Sequence, residues 1–303
     1  MRRTIHAIAV AALAITLVAP AAQAAELTTD EAAAVWRAAS CPSNLAETAL
    51  LDAVAAAGIE DGDPLTDDLR ALAAAWEPRL RHVVARLGYP PATWPEEIGW
   101  DVMGVVAAIE AQADRVGLLT RAGSTWEAPM SDEETAALKV IVDRVRTAIG
   151  LPLDSDCTAA DDAPAELSME EARALWLDAQ CPRTVALVNE HSPATKAAGE
   201  AYAFGEPLPA SVAASFLKLV VLQTRTKELL SHPVAPWPAV VANEIPVLVR
   251  FITRMDLFYS QAALGPLSEW NIREELTVAN EAAARVRTAL GIDDPVKACG
   301  LEG

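Results

Sequence analysis

Apolar residues form a run near the N terminus, over residues 7–18 with Thr16 as its one polar residue, and behind it they are interspersed with polar residues along the whole chain. No later stretch bounded by turn residues alternates strictly between apolar and polar positions, which is the pattern of a half-buried strand. Signals that begin and end helices are frequent instead. The pattern therefore predicts an all-α protein.

The N-terminal apolar run lies in the setting of a cleavable export signal. Arg2 and Arg3 precede it, and the tripeptide Ala22-Gln23-Ala24 behind it forms a small-residue cleavage site. The run of twelve residues is too short to span a bilayer, which takes about 20. The sequence predicts a signal peptide over residues 1–24 and an exported protein, periplasmic or extracellular, that is not membrane-spanning.

Behind the signal the chain repeats itself. The segments that recur in the same order are 27–42 as 167–182, 62–65 as 205–208, 89–95 as 232–238 and 144–150 as 285–291. A unit of about 140 residues is an ordinary domain size, and the seam falls in the polar stretch 158–166. We therefore expect two tandem homologous helical-bundle repeats, over residues 25–163 and 164–303.

Capping signals predict about five helices in each copy. The first begins behind Thr28 or Ser168, each with a glutamate three residues on, as in a capping box. We expect it to end at Pro42 or Pro182, because proline breaks a helix interior. The helices expected to follow in the first copy are 44–57, 64–87 with Asp63 as its cap, one opened by Trp94-Pro95, and 131–149 with a capping box at Ser131. The second copy repeats them, with Glu206 before Pro207 and Asn271 as the corresponding caps, and ends with 271–290.

The chain has four cysteines, two in each copy at matching positions. In an exported protein this usage indicates structural disulfides rather than metal ligands or nucleophiles. Of the three possible connectivities, only Cys41 with Cys157 and Cys181 with Cys299 treats both copies alike and keeps each bridge inside one folding unit. We therefore expect one disulfide per repeat.

Unusual residues that both copies share on a connection are the first candidates for a site, since loops on a rigid scaffold often carry function. Around the third connection, each copy has an aromatic ring, a tryptophan and an acidic residue. These are Tyr89, Trp94 and Asp101 in the first copy, and His232, Trp237 and Glu244 in the second. Such a shelf fits a sugar, a cationic ligand or a partner's side chain. The alternative is that each tryptophan packs its connection onto the bundle and each acid favours a helix start.

Arg250 and Arg254 are a second candidate site, because arginines four residues apart lie on one helix face and can hold a carboxylate or phosphate. The alternative is that Asp256 and Glu244 pair with them. Zinc, nucleotide and EF-hand patterns are absent, and the histidines behind the signal lack the spacing of metal ligands. We expect no metal and no cofactor.

Charge narrows the range of partners. The formal charge of -18 deepens to -20 when the two arginines of the signal are removed, and such an excess of acid excludes nucleic acid. Residues 25–165 hold 25 acids and 10 bases, whereas residues 166–303 hold 17 and 12. Because the first copy also carries Trp76 and Trp100 without counterparts, an asymmetric function is expected there first.

Three functions remain open from the sequence. The preferred one is a non-catalytic exported protein that binds a small molecule or another envelope or secreted protein, since the chain is duplicated and has no catalytic constellation. The second is a hydrolase or lyase that uses Asp101 and Glu244 as a carboxylate pair. The third is a structural or chaperone-like envelope module with an exposed apolar surface.

Overall fold

The computed structural model describes residues 26–154, 157–198, 208–264 and 273–301. In the N-terminal half, residues 26–163, the helices are α1 Thr29–Ala57, α2 Asp67–Gly88, α3 Glu96–Leu119 and α4 Asp132–Ala148. In the C-terminal half, residues 164–301, they are α5 Met169–Ala186, α6 Ser192–Ala198, α7 Ala210–Ser231, α8 Ala239–Ala242, α9 Ile245–Leu264, α10 Arg273–Ala289 and α11 Pro295–Ala298. The described residues form no strand, which confirms the all-α prediction.

Two short helical turns lie between these helices. A π-helical turn, Leu187–His191, joins α5 to α6, and a short 3-10 turn, Ala159–Asp161, lies between the halves.

Among the described helices, none combines the length and the apolar character that crossing a bilayer requires. The predicted signal peptide, residues 1–24, lies outside the described residues.

Local capping signals act where the sequence predicts them. Thr28, Ser131 and Ser168 each accept a hydrogen bond, at 3.2 to 3.3 Å, from the backbone N–H of the glutamate three residues on. That glutamate in turn accepts a bond of 2.8 Å from the backbone N–H of the cap. These capping boxes begin α1, α4 and α5. The corresponding signals expected at Glu206-Pro207 and Asn271 lie outside the described residues.

The start of α2 differs from the prediction. Thr66 rather than Asp63 is its N-cap. Asp63 and Pro64 are instead part of an extended segment, in which the backbone N–H of Trp126 donates to the Asp63 carbonyl at 2.7 Å and Pro64 bridges to Thr125. The long-range backbone contacts therefore shorten the helix by its first residues.

The predicted helix break at Pro42 is wrong, since α1 runs through this residue without ending. An interior proline removes one helix hydrogen bond and clashes with the preceding turn, at a cost of about 3 kcal/mol. Burial on both sides offsets that cost, because Trp36 before the proline and Leu50 after it each lie in an apolar core cluster of the N-terminal half. α5 contains Pro182 in the same way. The described N-terminal half therefore has four long helices where five were expected.

The disulfides tie the beginning of each half to its end. Cys41 is bonded to Cys157 and Cys181 to Cys299, with Cα–Cα distances of 5.3 and 5.1 Å. The predicted pairing is therefore confirmed. Each bridge joins the first helix of its half to the segment behind the last long helix, so both ends of a half are held on one core.

The two halves meet where α2 packs against α7, which we call the inter-half contact. Asp178 of α5 accepts hydrogen bonds there from Arg225 of its own half, at 2.6 Å, and from Arg86 of α2. Burial raises the pKa of the Asp178 carboxyl, but both guanidinium groups outweigh it and hold that pKa below its ordinary value. His82 of α2 places Nδ1 3.0 Å from the backbone oxygen of His232. The contact is therefore a polar junction that crosses between the halves.

Acid is expected to weaken the protein through His82. Burial lowers the pKa of this histidine to about 4, whereas an unfolded chain leaves it near 6.5, so the unfolded state takes up the proton first. Stability should fall by about 2–3 kcal/mol between about pH 7.5 and 4.5 through this group. Urea unfolding at both pH values should show a smaller difference for His82→Gln than for the wild type.

Comparing the wild type with His82→Gln separates the effect of this histidine on stability from that of the other titrating groups. The pKa of the Asp256 carboxyl is raised to about 6, chiefly by burial, so its protonation changes stability in the opposite direction over the same pH range. That contribution is common to the wild type and His82→Gln and cancels in the difference. An equal loss of stability in the two proteins would contradict the role of His82.

Candidate functional site

The two tryptophans of the predicted aromatic shelf are bonded to the backbone of the preceding helix. The indole Nε1 of Trp94 donates to the Leu87 carbonyl at 2.8 Å, and that of Trp237 donates to the Leu230 carbonyl at 3.0 Å. Trp237 is buried and Trp94 is partly buried. Both rings pack against the apolar core of their half. These contacts favour the interpretation that each tryptophan packs its connection onto the bundle.

Tyr89 and His232 are the C-caps of α2 and α7 and are partly buried. Burial raises the pKa of the Tyr89 hydroxyl, and the carboxylates of Glu228 and Glu110 add to that effect. Burial lowers the pKa of the His232 imidazole, whose Nε2 lies 3.6 Å from Glu228. Both rings are therefore at the inter-half contact rather than on an open shelf.

Asp101 and Glu244 each form a two-pronged ion pair with an arginine of the last long helix. Arg144 donates to the two oxygens of Asp101 at 2.9 and 2.6 Å, and Arg285 donates to those of Glu244 at 2.7 and 2.9 Å. The bonds from the guanidinium groups lower the pKa of both carboxyl groups. A general acid needs the opposite shift.

Arg250 and Arg254 are exposed on α9. Arg254 pairs with Glu275 of α10 at 2.6 Å. The partners expected from the sequence are wrong, because Glu244 pairs with Arg285 and Asp256 instead accepts a bond of 3.5 Å from the hydroxyl of Thr224. Neighbouring helices, and not residues near in sequence, supply the partners of these side chains.

A group of polar side chains in the C-terminal half has a different character. The described residues contain four buried side-chain nitrogen or oxygen atoms without a hydrogen-bond partner, and all four belong to three residues: Arg183 Nε, both amide atoms of Gln223, and Asp256 Oδ1. Gln223 is 0% exposed. We call these three residues, with Tyr259, the polar cluster. Leaving a buried polar group unpaired costs about 1–3 kcal/mol, so the cluster is an unusually costly part of the interior.

Three helices build the polar cluster. Arg183 lies on α5, two residues behind a disulfide cysteine, Gln223 lies on α7, and Asp256 and Tyr259 lie on α9. The bond from Thr224 to Asp256 joins α7 and α9 next to Gln223. Charge coupling joins the remaining members, since the Arg183 guanidinium lowers the pKa of both Asp256 and Tyr259 against the larger raising effect of their burial. Burial lowers the pKa of Arg183 itself.

Aromatic rings form one side of the polar cluster. Tyr259 stacks on Phe216 with centroids 4.9 Å apart and an interplanar angle of 14°. Phe216 stacks in turn on His191, at 4.8 Å, and its edge meets Phe258 at 6.3 Å. His191 is the last residue of the π-helical turn, and its Nδ1 lies 3.0 Å from the hydroxyl of Ser215. π-Helical turns inside helices occur frequently at functional sites.

The N-terminal half has an ordinary apolar core at the same place. Aligned by the predicted repeat, the counterparts of the polar cluster are Ser43, Leu80, Ala113 and Val116. The last three lie in one buried apolar cluster, and the Ser43 hydroxyl accepts a bond of 3.1 Å from Trp76 Nε1. The two halves therefore differ in chemistry at these positions.

Sequence reasoning missed the polar cluster, although a signal for it was present. Gln223 and Asp256 stand where the first copy has Leu80 and Ala113, and a polar residue opposite an apolar one in an aligned repeat marks a core position that has changed its chemistry. The shared residues of the two copies drew attention to conserved packing instead. The difference between the copies, rather than their similarity, locates the polar cluster.

A chaperone-like module, the third function expected from the sequence, needs an exposed apolar surface. Helix α3 has exposed apolar side chains of this kind. Trp100 is 89% exposed there, and Met103 and Leu118 of the same helix are 48% and 50% exposed. Between α3 and α4 lies a cleft of about 230 Å³, lined in part by Ala108, Ala137 and Ile141. Trp76, by contrast, is 1% exposed and belongs to the core.

Comparison with known proteins adds no family to this description. No protein-family model, curated protein or solved structure matches the chain. The geometry and chemistry of the side chains are therefore the basis on which a function can be proposed.

Proposed function

We propose that the protein is an exported, non-catalytic binding protein built from two tandem copies, and that it holds a small molecule in the polar cluster of the second copy. The first copy then serves as its structural support. The observation that carries the proposal is the concentration of every unpartnered buried side-chain nitrogen and oxygen atom of the described residues in Arg183, Gln223 and Asp256.

The export part of the proposal is supported by the N-terminal signal features and by two disulfides. Disulfides persist in oxidising compartments, whereas thiols are kept reduced in the cytosol of most organisms. Two bridges that each close more than a hundred residues fit a periplasmic or extracellular location.

The repeat is supported by contacts that recur at aligned positions. In each half the tryptophan before the third long helical segment is bonded to a leucine carbonyl seven residues earlier. In each half an acid of that segment pairs with an arginine of the last long helix. Matched disulfides add a third recurring contact. Duplication of one unit explains the three aligned contacts more simply than their independent origin does.

The binding part of the proposal follows from the cost of the polar cluster. Buried polar groups in proteins are almost always paired, and an exception calls for an explanation such as strain, catalysis or an absent partner molecule. In the N-terminal half, Leu80 occupies the position that corresponds to Gln223, and it packs in the apolar core without an unpaired polar atom. A bound ligand accounts for the amide at position 223, because it supplies the missing hydrogen-bond partners. Binding then offsets the free-energy cost of leaving those amide atoms unpaired in the folded protein.

The carboxylate-pair alternative gains no comparable support. Asp101 and Glu244 are engaged by Arg144 and Arg285, and the lowered pKa of each carboxyl keeps both groups ionised. A glycosidase-type pair needs one carboxyl whose pKa is raised. We therefore retain the binding protein as the proposed function.

Replacing Gln223 by leucine is expected to stabilise the ligand-free protein while abolishing its function. The substitution removes two unpartnered polar atoms in favour of the side chain found at position 80, so the free energy of unfolding should rise by about 1–2 kcal/mol. Urea unfolding of protein freed of ligand measures the gain. Native mass spectrometry of protein purified from its own host should find a small molecule on the wild type and none on the variant.

Gln112→Met is the matched control in the N-terminal half. Gln112 is 5% exposed, but it donates to Glu47 at 3.4 Å, and methionine is its counterpart at position 255. This variant should lose stability, because Glu47 is left without its partner, and should keep the bound molecule. The proposal fails if Gln223→Leu loses stability as well and the wild type carries no small molecule.

A further inference from the structure

Apolar side chains are exposed along one line of α3 and continue onto α4. Trp100, Ala111 and Leu118 follow one another at intervals close to whole helical turns, so they lie on one line of α3 that is about 27 Å long. On α4, Ala137 and Val140 are exposed as well. We call these five residues the α3–α4 face. Contiguous exposed apolar surface commonly marks an interaction site in a soluble protein.

A cleft separates the two helices within the α3–α4 face. It has a volume of about 230 Å³, with Ala108 and Ala111 on the α3 side and Ala137, Leu138 and Ile141 on the α4 side. Leu138 and Ile141 pack against the apolar core of the half but are only partly buried. The cleft therefore leaves part of the core open between the two helices.

The second copy has polar side chains at the positions that the predicted repeat aligns with this face. The counterparts of Trp100, Leu118 and Val140 are Asn243, Gln261 and Glu281, and all three are exposed. These positions face outward in both copies, and only the first copy places large apolar side chains there. Such side chains are unfavourable on a surface that stays in water, so their presence indicates a partner that covers them.

Larger side chains stand at the cleft positions of the second copy. Phe251 is the counterpart of Ala108 and packs against the core of its own half. Arg254 is the counterpart of Ala111 and pairs with Glu275 of α10 at 2.6 Å. The second copy therefore uses these two positions for its own packing, whereas the small side chains of the first copy leave a cleft.

Acidic side chains surround the α3–α4 face. Glu97 lies about one helical turn before Trp100 on α3, and Glu133 lies in the first turn of α4. Glu127 and Leu118 line a second cleft, of about 780 Å³, which shares Arg115 with the first. Within the ranges that the structure describes, none of these three carboxylates has an ion-pair partner.

Basic side chains on the same two helices are largely neutralised. Arg115 donates to both oxygens of Glu134, at 2.7 and 2.6 Å, and Arg144 donates to both oxygens of Asp101. Arg121, which lines the second cleft, has no ion pair in the described part of the chain. Unpaired acids therefore outnumber unpaired bases around the face, and this charge is complementary to a cationic partner.

We infer that the α3–α4 face binds a basic amphipathic helix of a partner protein. The apolar side of that helix lies against Trp100 and Leu118, and its lysine or arginine side chains pair with Glu97, Glu127 and Glu133. An amphipathic helix in an apolar groove is a recurring mode of recognition, and about 18 residues of helix match the length of the face. The inference goes beyond the proposed function, since it concerns a different surface on the other copy.

A second copy of this chain fits the face less well than a basic helix does. The formal charge of the chain is -18, and residues 25–165, which contain the face, hold 25 acids and 10 bases. Two such surfaces repel each other. A basic helix, by contrast, is attracted by the same acids.

Calorimetric titration of the full, disulfide-bonded protein with three synthetic peptides of that length tests the partner class. The first peptide has leucines on one side of a helix and lysines on the other, the second has glutamate in place of lysine, and the third is a scrambled form of the first. We expect the first to bind at least about tenfold more tightly than the other two, because it alone offers an apolar side together with positive charge. Equal binding of the first and the scrambled peptide, or no binding of the first, overturns the inference.

Leu118→Gln and Leu257→Gln are a matched pair of variants that locate the binding surface. Leu118 of α3 is 50% exposed and Leu257 of α9 is 52% exposed, so both replacements remove a similar exposed apolar area. Leu118→Gln and Trp100→Asn, which introduce the residues of the second copy, should each weaken binding of the leucine–lysine peptide at least about tenfold. Leu257→Gln should bind it as the wild type does. An equal effect of the two leucine replacements contradicts the assignment.

Two other occupants of the face give different results. If a second copy covers it, the wild type sediments as a dimer and Trp100→Asn as a monomer. If a lipid surface covers it, the wild type co-sediments with phosphatidylcholine vesicles and Trp100→Asn does not. Either result overturns the inference, whereas a monomer that leaves the vesicles and binds the leucine–lysine peptide supports it.

Discussion

Replacing Cys41 and Cys157 by serine is expected to lower the free energy of unfolding of the N-terminal half by about 4–5 kcal/mol. The bridge spans 116 residues, and in the chain-entropy account a cross-link destabilises the unfolded chain more as its loop lengthens, to about 4.7 kcal/mol near 100 residues. Domains are stable by only about 5–15 kcal/mol. Urea unfolding followed by far-UV circular dichroism and tryptophan fluorescence measures the loss.

The second disulfide provides the matched comparison. Cys181 and Cys299 span 118 residues, so replacing this pair by serine should destabilise the C-terminal half by nearly the same amount. The loop-length argument predicts that the two losses agree within about 1 kcal/mol. A loss below about 1 kcal/mol for either pair would show that the unfolded chain is not constrained as this argument requires.

Replacing Asp178 by alanine is expected to lower the free energy of unfolding by about 3 kcal/mol and to weaken the inter-half contact. Asp178 accepts hydrogen bonds from Arg225, which is 7% exposed, and from Arg86 of the other half. Without the carboxylate, the buried guanidinium group of Arg225 keeps its hydrogen bond to the backbone carbonyl of residue 178 but loses its counter-ion. Such a loss costs about 3–5 kcal/mol when the pair is fully buried. Because Asp178 is 27% exposed, the lower end of that range applies.

Asp143→Ala is the control for a surface ion pair. Asp143 pairs with Lys139 at 2.7 Å across one turn of α4, and Lys139 is 65% exposed. Its removal should change stability by only about 0.5 kcal/mol. Limited proteolysis between the halves should accelerate in Asp178→Ala and not in Asp143→Ala. If both variants lose the same small amount of stability, the inter-half contact is not held by Asp178.

Much of the fold was predictable because its signals are local. The capping boxes at Thr28, Ser131 and Ser168 act within one helical turn, and the disulfide pairing follows from the matching positions of the cysteines. Pro42 was misread for the opposite reason. Its local effect favours a helix end, but burial of residues on both sides of it, in two apolar clusters of the N-terminal half, maintains one helix.

The site was less predictable because hydrogen-bond partners are set across helices. Asp101 and Glu244 are acids at suitable positions in the sequence, yet Arg144 and Arg285 lie 43 and 41 residues away and lower the pKa of their carboxyl groups. Gln223 has no motif around it. Its significance depends on complete burial and on two amide atoms without partners, which are properties of the packed molecule.

The amino-acid sequence by itself determined the helical class, the first residues of the helices that begin with a capping box and the pairing of the cysteines, since these depend on periodicity, short-range hydrogen bonds and matched positions. Only the tertiary structure decided that α1 continues through Pro42, that Arg86 joins the halves at Asp178, and that atoms of Arg183, Gln223 and Asp256 are buried without partners. The physical reason is that burial, desolvation and pairing are created by packing between distant segments. No local pattern encodes them.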